Sequence, residues 1–107
     1  MKQKAISHTQ RLQDWYLKAC DGDWEHQYGI SISSLDNPGW FLKVELKGTY
    51  LEEILFQEVK IQRDQEDNWL TCRLENGSFC GYGGPSNLEE ILVIFLDWAD
   101  ERADQLK

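Results

Sequence analysis

The pair Asn76-Gly77 restricts the fold of this chain more than any other short feature. Asn-Gly is the preferred pair for a two-residue type I′ turn, because both of its positions need positive φ. Alternating apolar and polar residues stand on either side of it, in residues 69–75 and 78–82. We therefore predict a β-hairpin in which Glu75 lies opposite Ser78.

Counting away from this turn assigns every residue of the hairpin to one face of the sheet. Cys72 and Cys80 fall on opposite faces, so this pairing excludes a disulfide between them. The face that collects apolar side chains is expected to be core, and it holds Leu70, Cys72, Leu74 and Phe79. The other face is expected to point outward, and it holds Trp69, Thr71, Arg73, Cys80 and Tyr82.

Hydrophobic periodicity predicts a helix and three strands before this hairpin. Apolar residues at helical spacing indicate an amphipathic helix from about Thr9 to Cys20, which Asp21-Gly22 ends. Alternating residues in 28–33 and 40–46, separated by turn residues, predict a second hairpin. A further strand from about Ile54 to Arg63 changes its alternation midway, which suggests a bulge or a bend.

A second helix is predicted at the end of the chain. Ser86 and Glu89 fit an S-x-x-E capping box, and apolar residues follow to about Ala103. The sequence therefore predicts an α+β protein, an antiparallel β-meander of about five strands between an N-terminal and a C-terminal helix, with the helices packed on one face. We treat residues 1–107 as one domain whose ends, 1–7 and 104–107, are expected to fray.

The net charge of the chain limits the classes of partner that it is expected to bind. The chain has 107 residues and a net charge of −8, which opposes nucleic-acid binding and favours a basic protein. We find no apolar run of transmembrane length and no signal-peptide pattern, so we expect a cytoplasmic protein without a membrane partner. The three cysteines form neither a CxxC pair nor a zinc pattern, and no metal or cofactor is expected.

The segment Cys20–Tyr28 is the richest in residue types that occur in functional sites. Its acids would raise the pKa of the Cys20 thiol and so oppose a thiolate nucleophile. These acids alternate as calcium ligands can, but the glycine at the sixth position and the glutamate at the twelfth position of a calcium-binding loop are missing. The leading interpretation of the segment is a helix end that leads into a strand, with His26 hydrogen-bonded locally. An exposed Trp24 among acids would also suit a protein-binding anchor. The later stretch Gly81–Ser86 lacks the residues of a phosphate-binding loop, and strand exit and helix entry account for its glycines.

Several blocks of the sequence together resemble one family. They are Leu12–Tyr16, Cys20–Gly29, Leu35–Trp40 and Gly81–Leu92 with Phe95, Leu96 and Trp98. These blocks resemble the immunity protein 53 family, which is assigned to bacterial polymorphic toxin systems. In such systems an immunity protein protects the producing cell from a toxin domain encoded beside it. The resemblance implies an inhibitor that binds a cognate toxin domain, and it implies that the chain is not an enzyme. The negative charge of the chain favours a toxin domain that is basic.

The resemblance supplies no binding residues, so the candidates come from the residues themselves. The toxin-binding candidates are Asp21, Asp23, Trp24, Glu25 and His26 in the loop, and Trp69, Arg73 and Tyr82 on the outward sheet face. Two alternatives stay open. One is a small cysteine- or metal-dependent enzyme, for example a sulfurtransferase-like one that uses Cys20 and His26. The other is a dimerising module that uses the broad apolar surface of the last helix, so that the chain is a monomer or a weak homodimer.

Overall fold

The computed structural model of the protein describes residues 6–105. Their elements follow one another as α1 (His8–Ala19), α2 (Trp24–Gln27), β1 (Ile30–Leu35), β2 (Gly39–Glu45), β3 (Val59–Gln62), β4 (Trp69–Glu75), β5 (Ser78–Gly83) and α3 (Leu88–Gln105). The strands form one antiparallel sheet in the order β1-β2-β5-β4-β3. The predicted α+β class with a meander-like sheet is confirmed, and α2 is a helix that the sequence analysis did not predict.

The β4–β5 hairpin has the register that the Asn76-Gly77 turn predicted. Glu75 lies opposite Ser78, and the pairing continues from there along both strands. Both turn residues have positive φ, 50° at Asn76 and 81° at Gly77, as a type I′ turn requires. Cys72 and Cys80 are free thiols on opposite faces of the sheet.

The third strand is shorter than predicted. It covers only Val59–Gln62, whereas the sequence suggested a strand from about Ile54 to Arg63. The change of alternation that suggested a bulge has a simpler cause, because Ile54 and Phe56 precede the strand and pack against the core from a non-strand segment.

The start of α3 also differs from the prediction. The helix begins at Leu88, and the carbonyl of Asn87 accepts its first hydrogen bond, from the Ile91 N–H. The predicted capping box of Ser86 and Glu89 is therefore wrong, because Asn87 occupies the N-cap position. At the other helix Ser7 caps α1 by accepting a hydrogen bond from the Gln10 N–H at 3.1 Å.

The fraying expected at the chain ends mostly concerns residues outside the described part. Residues 1–5 and 106–107 lie outside it. Within it, Ser7 belongs to the cap of α1, and α3 continues to Gln105 instead of ending near Ala103.

Asn87 ties the start of α3 to the sheet. It is 2% exposed, and its side-chain oxygen accepts a hydrogen bond from the Trp69 N–H at 3.2 Å. Its amide nitrogen donates to Asn68 and Glu90, and the Arg63 guanidinium donates to the same two residues. This network satisfies a buried amide that would otherwise be costly, and it fixes the helix on its strand.

Both long helices lie on one side of the sheet, as predicted. α3 packs on β2, β5 and β4, and α1 packs on α3. Gly81 and Gly83 of β5 face α3, where a Cβ on either residue would collide with the side chain of Ile91. The two glycines therefore allow α3 and the sheet to approach each other closely. The interpretation from sequence, in which the end of a strand and the start of a helix require these glycines, did not include this role.

The broad apolar surface of α3 is used within the chain. Trp98 is 7% exposed, its ring stands edge-on to Phe56, and its indole N–H donates to the carbonyl of Leu55 at 3.1 Å. Leu96 is 1% exposed. The part of the surface formed by Leu96 and Trp98, which helped to suggest a dimerising module, is therefore covered within the chain, whereas Val93 and Ile94 are half-buried.

Candidate functional site

In the loop before β1 the carboxylates of Asp21 and Glu25 accept hydrogen bonds from the loop's own backbone. One oxygen of Asp21 accepts hydrogen bonds from the N–H groups of Asp23 and Trp24, at 3.0 and 2.9 Å. The Glu25 carboxylate reaches back to the N–H groups of Asp21 and Gly22, at 2.9 and 2.8 Å. Backbone N–H groups lower the pKa of both carboxyl groups, because they favour the charged form: those of Trp24 and Asp23 act on Asp21, and that of Glu25 itself, followed by those of Asp21 and Gly22, acts on Glu25. The two acids thus close the loop and start α2.

Trp24 is not an exposed anchor, and this expectation is wrong. Its side chain is 2% exposed and meets the rings of Trp15 and Tyr16 edge-on, at centroid distances of 6.0 and 5.8 Å. Because the loop closes as a short helix, it turns this tryptophan inward against α1. Trp24 is therefore a core residue, and its neighbours in sequence are surface residues.

The remaining loop candidates stay at the surface. Asp23 is exposed and accepts a hydrogen bond from the Gln27 side chain at 2.8 Å. His26 is exposed in α2, and Cys20 is half-buried at the end of α1. The loop therefore presents Asp21, Asp23 and His26 to solvent.

The outward face of the sheet carries a connected group of side chains. The Arg73 Nε donates to Glu75 at 2.6 Å, and the Tyr82 hydroxyl donates to the same carboxylate at 3.0 Å. The Arg73 guanidinium lies 5.6 Å from the centre of the Tyr82 ring, over its face. We call Phe41, Arg73, Glu75 and Tyr82 the outer cluster. Its hydrogen bonds and ring contacts fix the orientation of both Arg73 and Tyr82.

Phe41 is a member of the outer cluster that the sequence analysis missed. Its ring stacks on Tyr82 at a centroid distance of 4.8 Å and an angle of 28°. The two residues are cross-strand partners, because β2 lies beside β5. Only that strand order brings Phe41 to Tyr82, and local sequence patterns do not contain it. Trp69 stands on the same face of β4 and is half-buried.

The contacts within the outer cluster determine which of its side chains are charged. The Arg73 guanidinium, followed by the Tyr82 hydroxyl, lowers the pKa of Glu75. Burial, followed by the hydrogen bond to Glu75, raises the pKa of the Tyr82 phenol. At neutral pH the cluster therefore holds one positive and one negative side chain in contact, with a neutral phenol between aromatic and polar neighbours.

The outward face differs in charge from the protein as a whole. Its strand positions carry three basic residues and two acidic ones, which leaves one positive charge in excess: Lys43, Lys60, Arg73, Glu45 and Glu75. The chain carries a net charge of −8. The excess of acids therefore lies outside the strand positions of this face.

Two of the cysteines are poor nucleophiles where they stand. Burial raises the pKa of the Cys72 thiol to about 12, and Cys80 is 3% exposed with its pKa raised chiefly by burial. Thiols of this kind are protonated at neutral pH. Among residues 6–105 no group of three or more His, Cys, Asp and Glu side chains is arranged to hold a metal ion.

The two predicted surfaces do not form one site. Trp24 packs on the helical side of the sheet, and the loop around it belongs to that side. Arg73 and Tyr82 point away from the helices, on the opposite side. The loop and the outer cluster are therefore separate surfaces on either side of β1 and β2.

The fold and these surfaces describe a small antiparallel α+β domain whose sheet is open on one side. The chain belongs to the immunity protein 53 family, whose model matches residues 9–100. This match confirms the resemblance seen in the sequence, and the family name implies an immunity protein that binds a cognate toxin. The chain matches neither a curated protein nor a solved structure. In the described part of the chain no helix is long and apolar enough to cross a membrane.

Proposed function

We propose that this protein neutralises a cognate polymorphic-toxin domain by binding it with the outward face of the sheet. The observation that carries the proposal is the outer cluster in a chain of the immunity protein 53 family. Tyrosine, tryptophan and arginine are the residue types that dominate binding energy at protein interfaces. Here they stand together on a face that no described element covers.

The outer cluster is ordered before a partner arrives. Arg73 is held by Glu75 and lies over the Tyr82 ring, and Tyr82 is stacked on Phe41. Side chains that are already fixed lose less conformational entropy on binding. Trp69 extends the same face along β4 and is part of the proposed contact surface.

The loop residues have a different role in this proposal. Asp21, Asp23 and Glu25 are among the 19 acidic residues that give the chain its net charge of −8, and they add to the negative field of the whole protein. Such a field raises the rate at which a basic partner arrives, and it contributes less to the affinity of the finished complex. His26 lies at the same surface and completes the set of loop candidates.

The surroundings of the described cysteine thiols favour a binding function over a catalytic one. A cysteine-dependent enzyme needs a thiolate in an electropositive setting. Cys72 and Cys80 are buried with raised pKa values, and Cys20 stands beside three acids. These surroundings oppose the sulfurtransferase-like alternative.

The direct experiment is co-expression with the toxin domain encoded beside this gene. The wild-type protein should restore growth and co-purify with the toxin in a stoichiometric complex. Arg73→Ala combined with Tyr82→Ala should lose both properties, whereas Glu101→Ala, at an exposed position of α3, should keep the complex. Circular dichroism of each purified variant shows that it is folded.

Two outcomes would contradict the proposal. If the wild-type protein neither restores growth nor binds the toxin while both are folded, it does not act as an inhibitor of that toxin. If the folded double variant binds as tightly as the wild type, the outer cluster is not the contact surface.

A further inference from the structure

We propose that the toxin adds a β-strand to the free edge of the sheet at β1, an inference that rests on the proposed function and deepens it. β1 is the first strand in the sheet order, and among residues 6–105 it pairs with strand residues on one side only, those of β2. All six of its residues pair with residues 39–44 of β2. Its other side is an open edge.

The hydrogen-bonding groups of this edge can be assigned residue by residue. Glu45 donates its N–H to the carbonyl of Gly29 at 3.0 Å, which makes this a hydrogen-bonded pair. Such pairs alternate along an antiparallel ladder, so Ser31 and Ser33 also bond to β2. Ile30, Ile32 and Ser34 therefore direct their backbone N–H and C=O groups away from the sheet. Their spacing is the one that an added strand needs.

The edge lacks the features that usually prevent strand addition. Native edge strands are protected by charge, proline or short length. The other edge, β3, has only four residues, and one of them is the exposed Lys60. β1 has six residues, Ile-Ser-Ile-Ser-Ser-Leu, without a charge or a proline. Ile32 on this strand is 45% exposed.

A groove beside β1 would receive side chains of the added strand. It has a volume of about 510 Å³ and lies between α1 and the start of β1. Its lining is uncharged and consists of Thr9, Leu12, Gln13, Tyr16, Tyr28, Gly29 and Ile30. An added strand places alternate side chains on the helical side of the sheet, next to this groove. Its residues on that side should therefore be apolar.

Charge favours a toxin strand over a second copy of this chain. Two copies would bring together two domains of net charge −8, which repel each other. A basic toxin is attracted instead by the same net charge. The edge also adjoins the outer cluster, because Ser33 of β1 lies opposite Phe41. One partner can thus occupy the edge and the outward face together.

The test is the affinity of purified variants for the toxin domain, measured by titration calorimetry. Ser34→Pro removes an outward N–H and places a ring in the path of an added strand, without removing a bond to β2. We expect it to weaken binding about 30-fold or more. Ser34→Ala changes the side chain alone and should bind as the wild type does.

A second pair of variants keeps the proposal testable if Ser34→Pro does not fold. Ile32→Lys puts a charge on an exposed edge position and should weaken binding at least about tenfold, whereas Ile32→Thr should have a small effect. Wild-type binding with no loss in Ser34→Pro or Ile32→Lys would overturn the strand addition and leave the proposed function intact. A dimer of the wild-type protein that Ser34→Pro dissolves, with toxin binding unchanged, would overturn it in favour of a second copy. Failure of the wild type to bind would instead refute the proposed function.

Discussion

The loop Asp21–His26 and the outer cluster contain similar residue types and use them in opposite ways. In the loop, the Asp21 and Glu25 oxygens close the loop's own backbone, and the tryptophan is inside the protein. In the outer cluster, Arg73 and Tyr82 bond to a neighbouring side chain and keep their surfaces turned outward. Residue types that are common in binding sites therefore indicate a site only when their polar groups and rings remain available to a partner.

The largest expected effect concerns Trp24, the buried residue of the loop Asp21–His26. Trp24→Ala removes a tryptophan that meets Trp15 and Tyr16 in the core, and it should lower the free energy of unfolding by about 3–5 kcal/mol. Urea unfolding measures this loss. His26→Ala, at an exposed position of the same short helix, is the control and should change stability little. A loss below about 1 kcal/mol for Trp24→Ala would place Trp24 at the surface after all.

The next effect tests the outer cluster. Tyr82→Ala should weaken toxin binding by about 2 kcal/mol, because it removes the ring that stacks on Phe41 and lies under Arg73. Tyr82→Phe keeps the ring and loses only the hydroxyl, so it should retain most of the affinity. Titration of each variant with the toxin measures the difference. Equal affinity for the wild type and Tyr82→Ala would remove Tyr82 from the contact surface.

A smaller effect follows from the pH dependence of the loop. The folded pKa values of Asp21 and Glu25 lie below their ordinary values of 3.8 and 4.5. The stability that these carboxylates contribute is therefore complete above pH 4.5, and it is lost as the pH falls through the lower folded values. The wild type should exceed the Asp21→Asn, Glu25→Gln double variant in stability at pH 7, and the difference should shrink at pH 3. Urea unfolding at both pH values measures it, and a difference that grows at pH 3 would contradict the assignment.

The smallest effect concerns the stability of the outer cluster. Arg73 and Glu75 form an exposed ion pair, and such pairs contribute little to folding. Arg73→Ala should leave the thermal unfolding midpoint almost unchanged while it weakens toxin binding. A large fall in the midpoint would mean that the cluster is a structural element rather than a contact surface.

Predictions from the sequence were correct where short-range rules determine the structure. The Asn76-Gly77 turn specified the register of β4 and β5, because a two-residue turn leaves one pairing. Helical periodicity located α1 to within a residue at each end. The outward positions of Trp69, Arg73 and Tyr82 followed from counting along these strands.

Short-range rules do not predict contacts between segments that are far apart in the sequence. The burial of Trp24 depends on its packing against Trp15, and no local pattern encodes that contact. Phe41 joins Tyr82 only because β2 lies beside β5. The role of Asn87 depends on Asn68 and Trp69 from the neighbouring strand. In each case the missing information was the order in which the elements pack.

Hydroxyl-radical footprinting of the protein with and without the toxin tests the central claim most directly. Oxidation of Trp69 and Tyr82 reports on the outward sheet face, and Tyr50, 37% exposed and hydrogen-bonded to α3 on the helical side, is the internal reference. We expect the toxin to protect Trp69 and Tyr82 and to leave Tyr50 as reactive as in the free protein. Protection of Tyr50 with unchanged oxidation of Trp69 and Tyr82 would show that the toxin binds the helical side, and it would contradict the account.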